Sequence, residues 1–166
     1  MNQSVSPYHH GDLRNSAIIA AAELIETTGS YDITIAQVAK KTKVSAPALY
    51  RHFTDKEALL TAVRELTHLG MMDYLAHAQA STEPGTLAHL DALGLAYLRF
   101  AKDKRAFFGL MWEDQGDPEK RRAEARAKRT GFQVLQEAIE LYFDRHRPRH
   151  NRTSLQTATL MWSTAH

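Results

Sequence analysis

Hydrophobic residues recur along this chain at intervals of three and four positions, and no stretch alternates convincingly as a β-strand would. This pattern predicts an all-α protein. A first helix is expected from about Asp12 to Thr28, where Gly29 ends it. Its apolar positions form one stripe along the helix: Leu13, Ala17, Ala20, Ala21, Leu24 and Ile25.

Two short helices joined by a tight turn are predicted next. Thr34 and Gln37 have the spacing of a capping box, so the second helix should begin there. Ser45 can cap the third helix, and Pro47 falls in its first turn, where a missing backbone donor costs little. The arrangement is that of a helix-turn-helix.

The third helix has a buried side and an outward side. At 100° per residue, Leu49 points into the core while Pro47 and Arg51 point away from it. Ala48 and Tyr50 flank the outward face, which is therefore small at its start and cationic or hydroxylic near its end. Such a face suits a recognition helix whose N-terminus lies against base edges beside a phosphate strand.

A longer helical region is predicted to follow. Residues 54–57 are a start signal for an amphipathic helix that should reach about Ala80 and link two domains. The segment STEPGT, residues 81–86, is the clearest break in the chain. The strongly apolar helix after it is broad enough in its apolar face to suggest burial on several sides.

Three further helices complete the pattern. One is expected over residues 103–113, and one should open at Pro118 and run unbroken to Phe143. After a basic loop, the last covers residues 153–166 and stops with no glycine, proline or polar tail. We therefore expect this sequence to end inside or at the edge of a larger helical region, with apolar surface left for a partner or for further residues.

The expected organisation has three parts: residues 1–54 form a helix-turn-helix domain with an N-terminal arm, residues 55–80 a connecting helix, and residues 81–166 a helical regulatory and dimerisation domain. Charge supports the first assignment locally. The chain carries a net charge of only +2, yet Lys40, Lys41, Lys43 and Arg51 fall between residues 33 and 53 without an acid. Focused basicity of this kind is typical of a nucleic-acid contact.

Composition excludes other classes of protein. The sequence has no cysteine, so it can form neither a disulfide nor a thiolate metal site. No apolar run approaches the roughly 18 residues needed to span a bilayer, and the N-terminus lacks the regions of a signal peptide. We expect a soluble, cytoplasmic protein.

Three segments, YHHGDLRNSAI, VAKKTKVSAPALYRHF and TDKEALL, resemble the DNA-binding domain of the tetracycline-repressor (TetR) family of bacterial transcriptional regulators. The rest resembles the family as a run of helices of suitable length, and the ending MWSTAH is similar to the Trp-His signature of one C-terminal subgroup. The resemblance implies a homodimer with two helix-turn-helix heads on a palindromic operator. It also implies a helical C-terminal domain that holds a small effector and most of the dimer interface.

The resemblance places Tyr50, His52 and Lys56 on operator phosphates, with Thr34 as a further phosphate donor. It places residues 45–48 against the major groove. A phosphate contact by Lys56 agrees with the positive end of the helix that it opens. The full set of expected DNA-contacting residues is Thr34, Lys43, Ser45, Ala46, Pro47, Ala48, Tyr50, Arg51, His52 and Lys56.

Alternatives stay open for several of these residues. The His52 ring could pack on the surface of its own domain, and Tyr50 could be a partly buried aromatic. The N-terminal arm, with His9 and His10, and nearby Arg14 could add backbone contacts to DNA or remain disordered.

The turn and the base-reading face depart from the family pattern. Lys43 stands where many relatives have glycine, so either the turn differs or the lysine adopts a left-handed backbone at a cost of about 1 kcal/mol. Direct hydrogen-bond readout looks sparse. Specificity is expected to rest on Arg51, on methyl contacts from Ala46 and Ala48 to thymine, and on DNA shape.

The helical region offers a candidate effector cavity, with ordinary core packing as the alternative for its aromatic and methionine side chains. His68 or Arg99 could fix a polar group of the ligand. The residues expected to line the cavity are His68, Tyr74, Tyr97, Phe100, Phe107, Phe108, Met111 and Trp112.

An enzyme is not expected, because the sequence has no nucleophile elbow, glycine-rich phosphate loop or histidine pair with metal-ligand spacing. We expect no cofactor and no metal. The function predicted is that of a sequence-specific DNA-binding regulator, a repressor whose operator affinity changes with a small, mainly apolar effector. The alternative is an architectural or purely dimer-forming helical protein that binds DNA without an effector.

Overall fold

The computed structural model describes residues 12–113 and 129–165. Within these residues the chain forms eight α-helices and no strand, which confirms the all-α prediction. The helices are α1 (Leu13–Thr28), α2 (Ile35–Thr42), α3 (Ala46–Tyr50), α4 (Lys56–Ala80), α5 (Leu87–Asp103), α6 (Arg105–Trp112), α7 (Gly131–His146) and α8 (Ser154–Ala165).

The chain divides into two compact units, Met1–Leu66 and Thr67–His166, and the boundary falls within α4. In the first unit, α1 packs against α2 and α3, and these two pack against each other. Asp12 accepts a hydrogen bond from Asn15 at the start of α1, and Gly29 ends the helix with a φ of 67°. The largest fully buried side chains in this unit are Ile25, Ile33, Val38, Leu49, Leu59 and Val63.

The second unit has its own core, in which α5 packs on α6 and α7, and α7 packs along α8. The buried members of this core are Met71, Leu75, Leu90, Leu93, Ala96, Tyr97, Phe100, Val134, Ala138, Ile139 and Ala158. None of the described helices is both long enough and apolar enough to cross a membrane.

The expected burial of α5 on several sides is wrong for the single chain. Leu87 is 60% exposed, and Leu95 and Leu98 are each 52% exposed. Because α5 packs on α6 and α7, one stripe of its apolar residues is covered and the rest faces outward. Apolar periodicity alone does not distinguish a core face from one left open.

The expectation of one unbroken helix from Pro118 to Phe143 is also wrong. Pro118 lies outside the described residues, but α7 begins only at Gly131. The backbone N–H of Gln133 donates to Thr130 Oγ1 at 3.2 Å, and Gln133 Oε1 accepts from the backbone N–H of Thr130 at 2.8 Å. This reciprocal capping box sets the helix start.

Candidate nucleic-acid interface and cavities of the helical unit

A capping box starts α2, as its sequence predicts. The backbone N–H of Gln37 donates to Thr34 Oγ1 at 3.2 Å, and the backbone N–H of Thr34 donates to Gln37 Oε1 at 2.7 Å. The Thr34 hydroxyl also lies 3.0 Å from Gln37 Oε1, to which it donates. A phosphate contact from the Thr34 hydroxyl would therefore have to replace that bond.

Lys43 occupies the turn between α2 and α3 in a left-handed conformation, with φ 59° and ψ 36°. Its N–H donates to the Lys40 carbonyl at 3.3 Å, and the N–H of Val44 donates to the Ala39 carbonyl at 3.0 Å. Of the two expected alternatives, the second therefore holds: Lys43 itself adopts the left-handed backbone. The Lys43 side chain is exposed and lies between the end of α2 and the start of α3.

Ser45 occupies the N-cap position of α3, but its side chain makes no capping hydrogen bond. A capping side chain accepts from the second or third backbone N–H of a helix. Here the second residue is Pro47, which has no N–H, and the N–H of Ala48 donates to the Ser45 carbonyl at 3.0 Å. The expected side-chain cap is therefore wrong.

The third helix rests on two buried side chains, Leu49 at 0% and Phe53 at 2% exposure. Ala48 is buried as well, at 8%, so the expectation that its methyl group lies on the outward face is wrong. With only five residues, α3 is covered from more than one side by α1 and α2. Ala46 is half-buried and remains the available methyl group.

The remaining residues expected to contact DNA around α3 lie on the surface. Ser45, Pro47, Arg51 and His52 are exposed, and Tyr50 is 53% exposed. Tyr50 is thus partly buried, and the His52 ring lies at the surface of its domain. Arg51 forms no ion pair with the described residues.

Lys56 is the first residue of α4, where Asp55 Oδ1 caps the helix by accepting from the Ala58 N–H at 2.7 Å. Lys56 Nζ lies 2.9 Å from Asp32 Oδ1, and the Asp32 side chain is 87% exposed. The ammonium that is expected to hold a phosphate is therefore already next to a carboxylate. The sequence does not reveal this pairing, because the two residues lie 24 positions apart.

Other cations of this unit differ in their surroundings. Lys41 Nζ lies 2.9 Å from Glu23 Oε2, whereas Lys40 and Lys43 form no ion pair with the described residues. Arg14 places its guanidinium 5.6 Å from the centre of the Phe53 ring. The N-terminal arm, with His9 and His10, lies outside the described residues.

The second unit contains two concavities. The inner cavity, of about 110 Å³, opens among α4, α5, α7 and α8 and is lined by Leu75, Leu93, Gly94, Tyr97, Leu98, Gly131, Val134, Leu135, Met161, Trp162 and Ala165. The outer groove, of about 460 Å³, runs between α4 and α5 and is lined by Asp73, Tyr74, His77, Ala78, Ser81, Ala92, Leu95, Ala96 and Arg99. The lining of the inner cavity is apolar, whereas the lining of the outer groove includes the charged residues Asp73 and Arg99.

Few of the residues expected to line an effector cavity do so. Tyr97 lines the inner cavity, and Tyr74 and Arg99 line the outer groove. Phe100 is buried in the core, and His68 Nε2 donates to the Arg129 carbonyl at 3.0 Å. The others line neither concavity: Phe107, Phe108, Met111 and Trp112.

Aromatic packing accounts for two of these four side chains. The centre of the Phe108 ring lies 5.6 Å from that of Tyr97 and 6.1 Å from that of Trp112. Phe108 and Trp112 thus pack on other rings, whereas Tyr97 lines the inner cavity together with Trp162, whose ring centre lies 5.2 Å from its own. Burial raises the pKa of Tyr97 to about 12, because the phenolate would lose its hydration.

Two family models match the chain. The model for bacterial regulatory proteins of the tetR family matches residues 18–63, and a tetracyclin repressor-like C-terminal domain matches residues 90–166. The chain is also 40% identical over 52 residues to the tetracycline repressor protein class G of Vibrio anguillarum. That alignment covers 31% of this chain and only 25% of the relative.

Solved structures share the fold over most of the chain. A protein of unknown function from Rhodococcus sp. RHA1 has a TM-score of 0.78 at 25% identity, over 98% of this chain and 83% of that one. The TetR family transcriptional regulator PfmR from Thermus thermophilus has a TM-score of 0.66 at 20% identity, over 92% and 82%. A SmeT-triclosan complex has a TM-score of 0.57 at 19% identity, over 92% and 76%.

Proposed function

Because the chain belongs to the tetracycline-repressor family of bacterial transcriptional regulators, we propose that its first unit binds operator DNA and that the protein represses transcription. A small, mainly apolar effector held by the second unit lowers the operator affinity. Operator DNA lies in the bacterial cytoplasm, so the protein acts there. No step of this function needs a cofactor or catalysis.

The observation that carries the proposal is the surface formed by the α2–α3 turn and α3. It combines the exposed side chains of Lys43, Tyr50, Arg51 and His52 on a unit whose core holds Leu49 in place. Cations and a phenol hydroxyl bind phosphate oxygens, and Arg can also read guanine in the major groove. Base readout then depends mainly on Arg51 and Ala46, with DNA shape supplying the rest.

We propose that the protein binds as a homodimer through its C-terminal helices. Leu141 of α7 is 48% exposed, and Leu155 and Leu160 of α8 are 51% and 53% exposed. A second copy would cover this apolar surface. A two-fold dimer carries two heads, which matches a palindromic operator.

The effector response is supported by the inner cavity and by the fold. A solved structure with this fold is a complex with triclosan, and the second unit of the chain here has an apolar cavity. An effector shifts operator affinity only by as much as it prefers one conformation over the other. The effector-independent architectural alternative is not favoured by this combination.

Fluorescence anisotropy with labelled duplex tests the DNA contacts. The duplex comes from upstream of the protein's own gene, and an unrelated duplex serves as competitor. Arg51→Ala should weaken operator binding by about 5-fold or more and reduce discrimination between the duplexes, since a bidentate base contact is worth about 1–3 kcal/mol. Tyr50→Phe should weaken both duplexes by a similar factor, because a phosphate contact is independent of sequence.

Lys102→Ala is the matched control, since Lys102 is an exposed cation on α5 in the second unit. It should leave DNA binding unchanged. Equal losses for Lys102→Ala and Arg51→Ala would show only a general charge effect. Unchanged binding in Arg51→Ala would contradict the assignment of the interface.

A further inference from the structure

The lining of the inner cavity contains no charged side chain among the described residues. Most of its wall is aliphatic, from Leu75, Leu93 and Val134, and its polar side-chain groups are those of Tyr97 and Trp162. The outer groove is different, because Asp73, His77 and Arg99 line it. The two concavities therefore select for opposite ligand chemistry.

We propose that the inner cavity binds an uncharged, apolar molecule whose inserted part is about the size of one aromatic ring, and that this molecule is the effector. The effector role rests on the proposed function, whereas binding to the cavity does not.

Charge exclusion follows from the environment of the cavity. A carboxylate or ammonium group entering it would lose water and find no opposite charge in the lining. Tyr97 lines the same cavity, and burial raises the pKa of its phenol to about 12 because it disfavours the anion. A charged analogue of a bound molecule should therefore bind at least about 100-fold more weakly.

The size limit follows from the volume and from the mouth. The cavity measures about 110 Å³, which is less than the roughly 150 Å³ of an apolar cavity that holds benzene, so one ring is the upper limit of what it can enclose. Leu98, which is 52% exposed, and Met161, which is 39% exposed, stand at the opening. A methionine can move without breaking a polar contact, so a longer molecule can extend outward between the two side chains.

Gly94 of α5 lines the cavity, and a Cβ added there would meet no atom within 4 Å. Gly94 is itself exposed, so the added side chain of Gly94→Leu should fill the open space at the mouth of the cavity. Gly70 of α4 also has open space beside it and lines neither concavity. Gly70→Leu is thus a matched control, because both changes replace a mid-helix glycine and both raise helix propensity.

The test measures the binding of toluene, benzoate and benzylammonium to the protein in the absence of DNA. Saturation-transfer NMR detects binding, and thermal shift detects the change in melting temperature. These three molecules share one ring and differ in charge. Toluene should bind and raise the melting temperature in the wild-type protein and in Gly70→Leu. In Gly94→Leu its affinity should fall at least about 10-fold, since the space is filled. Benzoate and benzylammonium should not bind the inner cavity detectably at the same concentration.

Three results would overturn the proposal. Toluene could fail to bind the wild-type protein, it could bind Gly94→Leu as well as Gly70→Leu, or benzoate or benzylammonium could bind as tightly as toluene and be displaced by Gly94→Leu. A charged ligand that binds both variants equally is assigned to the outer groove and leaves the selectivity of the inner cavity standing.

Operator release is measured separately, by adding toluene to the protein bound to its operator duplex. Release in the wild-type protein and in Gly70→Leu, but not in Gly94→Leu, supports the effector role. Toluene binding without release would refute the effector role and leave the ligand class of the cavity standing. Absence of operator binding before any ligand is added would instead count against the proposed DNA-binding function.

Discussion

Replacing Lys43 with glycine is expected to stabilise the protein, because Lys43 holds a left-handed conformation at the end of α2. Its φ is 59° and its ψ is 36°. In this conformation the Cβ of an L-residue approaches the following carbonyl, whereas glycine has no Cβ. The turn itself stays the same, since its hydrogen bonds come from backbone atoms of residues 39–44.

The size of the effect can be worked from two opposing contributions. The left-handed conformation costs about 1–2 kcal/mol for a residue with a Cβ. Glycine is more flexible in the unfolded chain, which offsets about 0.4–1 kcal/mol of that gain. The net stabilisation is therefore about 1 kcal/mol. If the 166 residues unfold in one transition, the melting temperature should rise by about 2–4 °C.

Lys43→Ala separates the backbone contribution from the loss of the lysine. Alanine keeps the Cβ, so its stability in thermal and urea unfolding should stay near that of the wild-type protein. Both variants lose the same cation, so both should weaken DNA binding by the same factor. Arg147→Gly repeats the test at the end of α7, where φ is 43° and ψ is 61°. A Lys43→Gly protein no more stable than Lys43→Ala would refute the reasoning.

Three further predictions follow from single contacts. Asp32→Asn should strengthen binding to operator and unrelated duplex alike by a few-fold, because Lys56 loses its carboxylate partner at 2.9 Å. The slope of the logarithm of the binding constant against the logarithm of the salt concentration should become steeper by about 0.9. Glu23→Gln, which frees Lys41 instead, is the control, and weaker binding in Asp32→Asn would mean that Asp32 positions Lys56 for DNA. Thr130→Ala should lower the free energy of unfolding in urea by about 1 kcal/mol, since it removes the Thr130 hydroxyl from the α7 capping box. The control is Thr159→Ala, because the exposed Thr159 hydroxyl donates only to a carbonyl of its own helix. An equal loss of stability in the two variants would contradict the prediction. Finally, stability should fall between pH 10 and about 12, because only the unfolded state ionises Tyr97 in that range; the slope is at most about 1.4 kcal/mol per pH unit. Tyr97→Phe should remove this component of the slope and Tyr50→Phe should not.

The first three helices could be predicted because their signals are local. The capping box of Thr34 and Gln37 and the stop at Gly29 each act within a few residues of the helix end that they set. The burial of Ala48 could not be predicted, because a five-residue helix has no dominant face of its own and its neighbours decide what it buries. The capping role of Thr130 could not be predicted, because the charged residues before it and the apolar residues after it together have the pattern of one continuous helix.

The inner cavity could not be predicted from the pattern. Its walls come from four helices that are distant in sequence, and its space depends on small residues such as Gly94 and Gly131. Aromatic residues are expected to line it, yet most of them fill the core or pack on each other. An apolar periodicity shows which side of a helix is buried, but not where the packing leaves a gap.

Footprinting of the DNA upstream of the protein's own gene tests whether the first unit recognises a DNA sequence. We expect protection of a discrete palindromic site whose two half-sites are occupied together, at protein concentrations that leave unrelated DNA unprotected. Uniform protection along the DNA, or none at any concentration, would contradict the assignment of α2 and α3 as a sequence-reading head.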